Sequence, residues 1–67
     1  MFEVTKQATG YKGALVRLVR LDTEDYTVIV RLPKDARFHH RYMGPDLVKA
    51  EEVFQQEVRK LPVAKGQ

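Results

Sequence analysis

The chain has 67 residues, no cysteine and a formal net charge of +3, which allows one small domain and excludes disulfide staples and thiolate-ligated metal. A domain of this size buries only about 60% of its unfolded surface, so the expected core is thin. No apolar run approaches the roughly 20 residues that span a bilayer. No basic segment leads into an apolar run at the start, and we expect a soluble, cytoplasmic protein with no membrane partner.

Phe2 to Ala8 reads as a first strand. It ends at Thr9-Gly10-Tyr11-Lys12-Gly13, where the glycines can take positive φ in a hairpin loop. Ala14 to Leu21, "ALVRLVRL", is apolar at nearly every position except Arg17 and Arg20. The acidic stretch Asp22-Thr23-Glu24-Asp25 breaks that run, and a hairpin closed by three or by four residues satisfies it equally. Tyr26 to Leu32, "YTVIVRL", carries the strongest strand signal of the chain. Pro33-Lys34-Asp35 turns it, and Phe38 to Met43 forms the fourth strand.

Gly44-Pro45-Asp46 then marks a helix start, since proline suits the first turn and Asp46 can cap free N–H groups. Leu47, Ala50, Phe54, Val58 and Leu61 recur at spacings of three and four, the signature of one helix face. Pro62 ends the element by biasing Leu61 away from helical backbone. Short connections favour sequential antiparallel pairing. The expected fold is α+β: an antiparallel four-stranded β-meander with one C-terminal α-helix packed on one face, β-β-β-β-α. One domain is expected over residues 1–61, with 62–67 a flexible tail.

The segment Arg37 to Tyr42, "RFHHRY", concentrates positive charge and aromatic rings. Strict strand alternation would place Phe38, His40 and Tyr42 on one face and Arg37, His39 and Arg41 on the other. Pairing Leu32 with Phe38, Val30 with His40 and Val28 with Tyr42 would gather the apolar groups under the helix, across a five-residue loop. On that register the rings lie in the core and only the arginines face out. Single-strand binders need both on one surface, which counts against nucleic acid. The adjacent His39 and His40 would point to opposite faces, so no metal site is expected.

Little in the chain suggests catalysis. Serine and cysteine are both absent, which removes the common activated nucleophiles. Gly10 and Gly13 precede a strand and not a helix, so the phosphate-loop context is missing. The acidic 22–25 turn reads as solvated. No enzyme activity, cofactor or small-molecule substrate is expected.

The second strand instead points to a recognition surface. Val16 and Leu18 share one face, and Leu15, Val19 and Leu21 share the other; one helix cannot cover both. A strand apolar on both sides is usually buried on both sides, and an uncovered apolar patch commonly marks an interaction site. The leading expectation is a non-catalytic interaction protein, a homodimer through the open sheet face or an edge strand. Leu15, Val19 and Ile29 would form its centre, with Arg17, Arg31 and Arg41 at the rim. The alternative is a nucleic-acid-binding protein whose arginines on the face opposite the helix meet phosphates. That rim comprises Arg17, Arg31, Arg37, His39 and Arg41. Residues 1–44 hold eight Lys/Arg against five Asp/Glu, whereas residues 45–67 hold four of each, so the positive field belongs to the strands.

Overall fold

A computed structural model describes residues 2–61. Four strands, β1 (Phe2–Thr9), β2 (Leu15–Leu21), β3 (Tyr26–Arg31) and β4 (Phe38–Gly44), form one antiparallel sheet in the order β1-β2-β3-β4. The helix α1 (Leu47–Arg59) follows and packs on one face. The fold is therefore the expected α+β meander with a C-terminal helix. The tail expected to be flexible, 62–67, lies outside the described residues.

The register of β2 against β3 decides which side each aliphatic serves. Val16 pairs with Val30 and Leu18 with Val28, and directly opposed residues share a face. These four pack with Ala50 and Phe54 of α1 into the core. Leu18, Val16 and Val28 are its largest fully buried side chains. The three-residue closure is the one used in the β2–β3 hairpin. The Leu21 N–H donates to the Asp25 carbonyl at 2.8 Å and the Glu24 N–H to the Leu21 carbonyl at 3.0 Å. Glu24 takes a φ of +67°, the left-handed residue that such a loop requires.

The helix begins where the sequence indicates. The Asp46 side chain accepts from the Lys49 N–H at 3.2 Å, which satisfies one of the unpaired donors of the first turn. Ala50 and Phe54 are buried, Val53, Val58 and Leu61 pack beside them, and Leu47 stays largely exposed at the helix start.

Each edge strand contains a one-residue bulge. On β1 the register passes from Val4–Val19 to Lys6–Leu18, leaving Thr5 as the extra residue. The Thr5 hydroxyl donates to the Leu18 carbonyl at 3.2 Å. On β4 it passes from Tyr42–Val28 to His40–Ile29, leaving Arg41 as the extra residue. A bulge resets which face the following residues occupy, and this one changes the composition of the sheet's open side.

Candidate functional site

The face away from the helix is built by alternation along each strand and by the two bulges. β2 and β3 contribute Leu15, Arg17, Val19 and Leu21 beside Thr27, Ile29 and Arg31. β1 adds Phe2 and Val4 before its bulge and Gln7 after it. β4 adds Phe38 opposite Arg31, His40 opposite Ile29 and Met43 opposite Thr27.

That arrangement corrects the expected register of β4. Tyr42 does pair with Val28, but Phe38 pairs with Arg31 and not Leu32, and His40 pairs with Ile29 and not Val30. Phe38 and His40 are therefore on the open face, and the aromatic and basic groups share one surface after all. The cause is the bulge at Arg41. Its Nε lies 3.6 Å from Glu57 Oε1 on α1, so this arginine turns to the helix side and shifts everything before it by one. His39 falls opposite Val30, on the helix side, and its Nε2 donates to Asp35 Oδ2 at 3.0 Å. Arg37 lies in the exposed β3–β4 loop, its N–H donating to Asp35 Oδ1 at 3.0 Å. Of the five expected rim residues, the structure brings only Arg17 and Arg31 onto the open face. Of the expected aliphatic centre, Leu15 and Val19 are on that face but only 6% and 4% exposed; Ile29 is half-buried.

Phe38 is the focus of the site. The guanidinium carbons of Arg17 and Arg31 lie 5.7 and 5.5 Å from its ring centre, within cation–π range. The ring remains 39% exposed. Neutral acceptors hold both arginines in place: Arg17 Nε donates to Gln7 Oε1 at 2.8 Å, and Arg31 Nε donates to the Gly13 carbonyl at 3.0 Å. Neither bond cancels charge. On the helix side, by contrast, Lys6, Arg20 and Arg41 meet the carboxylates of Glu51, Glu3 and Glu57.

His40 is positioned by Thr27. The Thr27 hydroxyl donates its one proton to the Tyr42 carbonyl at 3.0 Å, so it accepts from His40 Nδ1 at 3.2 Å. Nε2 then points away from Thr27. A shallow depression of about 220 Å³ runs over this area, lined by Phe2, Arg17, Val19, Leu21, Thr27, Ile29, Phe38 and His40. It is below the roughly 300 Å³ at which enclosed small-molecule sites begin. A flat, extended ligand suits it better.

The two ends of this face differ. At one end the loops 10–13 and 32–37 meet, the Lys34 N–H donating to the Lys12 carbonyl at 3.1 Å. Lys12 Nζ sits 5.2 Å from the ring centre of Tyr11. Lys12, Lys34 and Arg37 thus belong to the loops at the end of the sheet where Arg31 and Phe38 pair. One acid is present, Asp35, whose carboxyl is held below its ordinary value near 3.8, chiefly by the hydrogen bond from His39 and next by the Arg37 N–H. At the other end the hairpin turn carries Asp22, Glu24 and Asp25. No position on the open face within the four described strands is Asp or Glu.

Sequence reasoning missed Phe38 as a surface ring, and it missed Tyr11 and Lys12. For Phe38 the local pattern held no warning, since the shift comes from a bulge at Arg41, whose ion-pair partner Glu57 lies on α1. For the loop, the signal was present in Tyr11-Lys12 between two glycines. Comparisons with known protein families, with curated proteins and with solved structures find no match to this chain. Among the described residues, no group of three or more His, Cys, Asp or Glu side chains is placed to hold a metal ion, and no helix is long and apolar enough to cross a membrane.

Proposed function

We propose that this chain is a non-catalytic, nucleic-acid-binding module that works through the open face of its sheet. One observation supports this above the rest: Phe38 lies between two arginines whose charge no carboxylate of the described residues offsets. Phosphates need fixed cations, and bases need a flat apolar surface to lie on. The face supplies both side by side. Arginine in place of lysine at the two strand positions also suits planar contacts to phosphate and base. The cysteine-free composition fits a reducing, cytoplasmic setting.

The test is an amide-shift titration of the labelled protein with a mixed-sequence oligonucleotide, at low and at near-physiological salt. We expect shifts centred on Arg17, Arg31, Phe38 and His40 that weaken as salt rises. Replacing both arginines, Arg17→Ala with Arg31→Ala, should lower affinity for all sequences alike. An absence of shifts at either salt removes the reading.

Homodimerisation through the same face is a second reading, favoured by the exposure of Phe2, Val4 and Met43. Against it, twofold pairing would bring two copies of Arg17 and Arg31 together without an acidic partner, a like-charge cost. Edge pairing is opposed by the bulges on both β1 and β4. Ile29→Asp should abolish any dimer seen by sedimentation. A concentration-independent monomer mass for the unaltered chain sinks this second reading.

A further inference from the structure

Resting on that reading of the open face, we infer that its ligand is unpaired nucleic acid, which crosses the sheet at the end where loops 10–13 and 32–37 meet and stacks a base on Phe38. In a duplex the flat faces of the bases are already stacked on each other, so an exposed ring framed by guanidinium groups has nothing to stack with. A single strand offers those faces freely, and stacking on a phenylalanine or an arginine plane is how unpaired bases are commonly held. Phe38 is suited to this: its ring is exposed while its two flanking arginines are already ordered by Gln7 and by the Gly13 carbonyl. Little side-chain freedom remains to be lost when a ligand arrives.

The direction of the strand follows from charge. Lys12, Lys34 and Arg37 extend the positive field from Phe38 around the loop end. Glu24 and Asp25 make the opposite end less favourable to phosphate. A polyanion laid lengthwise along the strands would cover both ends; one laid across them at the loop end meets a cationic excess, with Asp35 as the described acid there. The sheet is four strands wide, at roughly 4.8 Å per strand, so the footprint is short, about four nucleotides and at the low end for such surfaces.

Fluorescence anisotropy of labelled oligothymidylate, a duplex of equal length and inorganic polyphosphate tests this with the full chain. The single strand should bind at least about tenfold more tightly than the duplex. Phe38→Ala should weaken single-strand binding by roughly fivefold to a hundredfold, the range for losing one stacked base, and leave polyphosphate binding unchanged. Phe38→Trp should restore it, whereas Arg31→Ala should weaken both ligands. Because Phe38 stands outside the core, these variants keep the fold, which far-UV circular dichroism checks. Equal binding of duplex and single strand, or indifference of the single strand to Phe38→Ala, overturns this inference and leaves the nucleic-acid reading standing. Failure of every nucleic acid to bind at low salt overturns both.

Discussion

The two faces of this sheet share valine, leucine and arginine and differ in how their charges are met. On the helix side, Val16, Leu18, Val28 and Val30 meet Ala50 and Phe54, and the charges around them are matched: Lys6 with Glu51, Arg20 with Glu3, Arg41 with Glu57. On the open side, Leu15 and Val19 are covered, yet Arg17 and Arg31 are held by neutral oxygens only. One face has spent its apolar and ionic capacity on folding. The other keeps a ring and two cations ordered with no described carboxylate against them.

The strongest way to break this comparison is to cut the same residue type from each side. Phe54→Ala removes a side chain that is 5% exposed in the core and should cost about 3–5 kcal/mol. Against the roughly 5–15 kcal/mol that holds a native domain together, and the thin core of a chain this short, that leaves the protein marginal or unfolded. Phe38→Ala, at 39% exposure, should cost less than about 1 kcal/mol. Urea denaturation midpoints of the two variants read the difference. Similar losses for both would mean that the open face is a second core, and the recognition reading would lose its ground.

A finer cut falls on Thr27, the one buried polar side chain of the described residues. Its hydroxyl joins the Tyr42 carbonyl to the His40 ring and so ties the open face to β4 at the bulge. Thr27→Val keeps the shape and removes both bonds, which should cost about 1 kcal/mol. Part of that loss should be local: amide hydrogen exchange at residues 40–43 should speed up while the helix changes little. Uniform loss of protection across the sheet would show that Thr27 acts on global stability and not on β4.

How much of this was legible beforehand differs between elements. The element order was, because each strand ends in its own turn residues and the helix has its cap, its stripe of three and four, and its terminating Pro62. The hairpin at 22–25 was legible as a turn but not in its length, since three and four residues close it equally until Glu24 is seen at positive φ. The placement of Phe38 was not legible at all. It depends on one inserted residue, Arg41, whose guanidinium meets Glu57, sixteen positions away on another element. Alternation within β4 cannot report a contact made by the helix. The structure therefore has Arg17 and Arg31 on the open face, as strand alternation indicates, and Phe38 between them and not in the core.

The smallest expected effect separates the loop end of the open face from the acidic end. Asp35 is the one carboxylate amid Lys12, Lys34 and Arg37, and the bonds from His39 and from the Arg37 N–H hold its carboxyl below the ordinary value near 3.8. A depressed acid contributes stability that is complete above its unfolded value and lost as pH falls through its folded one, so the window lies below about pH 4. Between about pH 5 and pH 2 the melting temperature of the unaltered chain should fall slightly more steeply than that of Asp35→Asn, because the asparagine has no proton to take up. The same substitution removes the negative charge of Asp35 from the loop end, and at neutral pH it should raise oligonucleotide affinity modestly, with the gain vanishing at high salt. Steeper acid loss in the variant would reverse the sign assigned to Asp35. A drop in affinity would mean that the loop order Asp35 provides through His39 and Arg37 matters more to the site than the charge it subtracts.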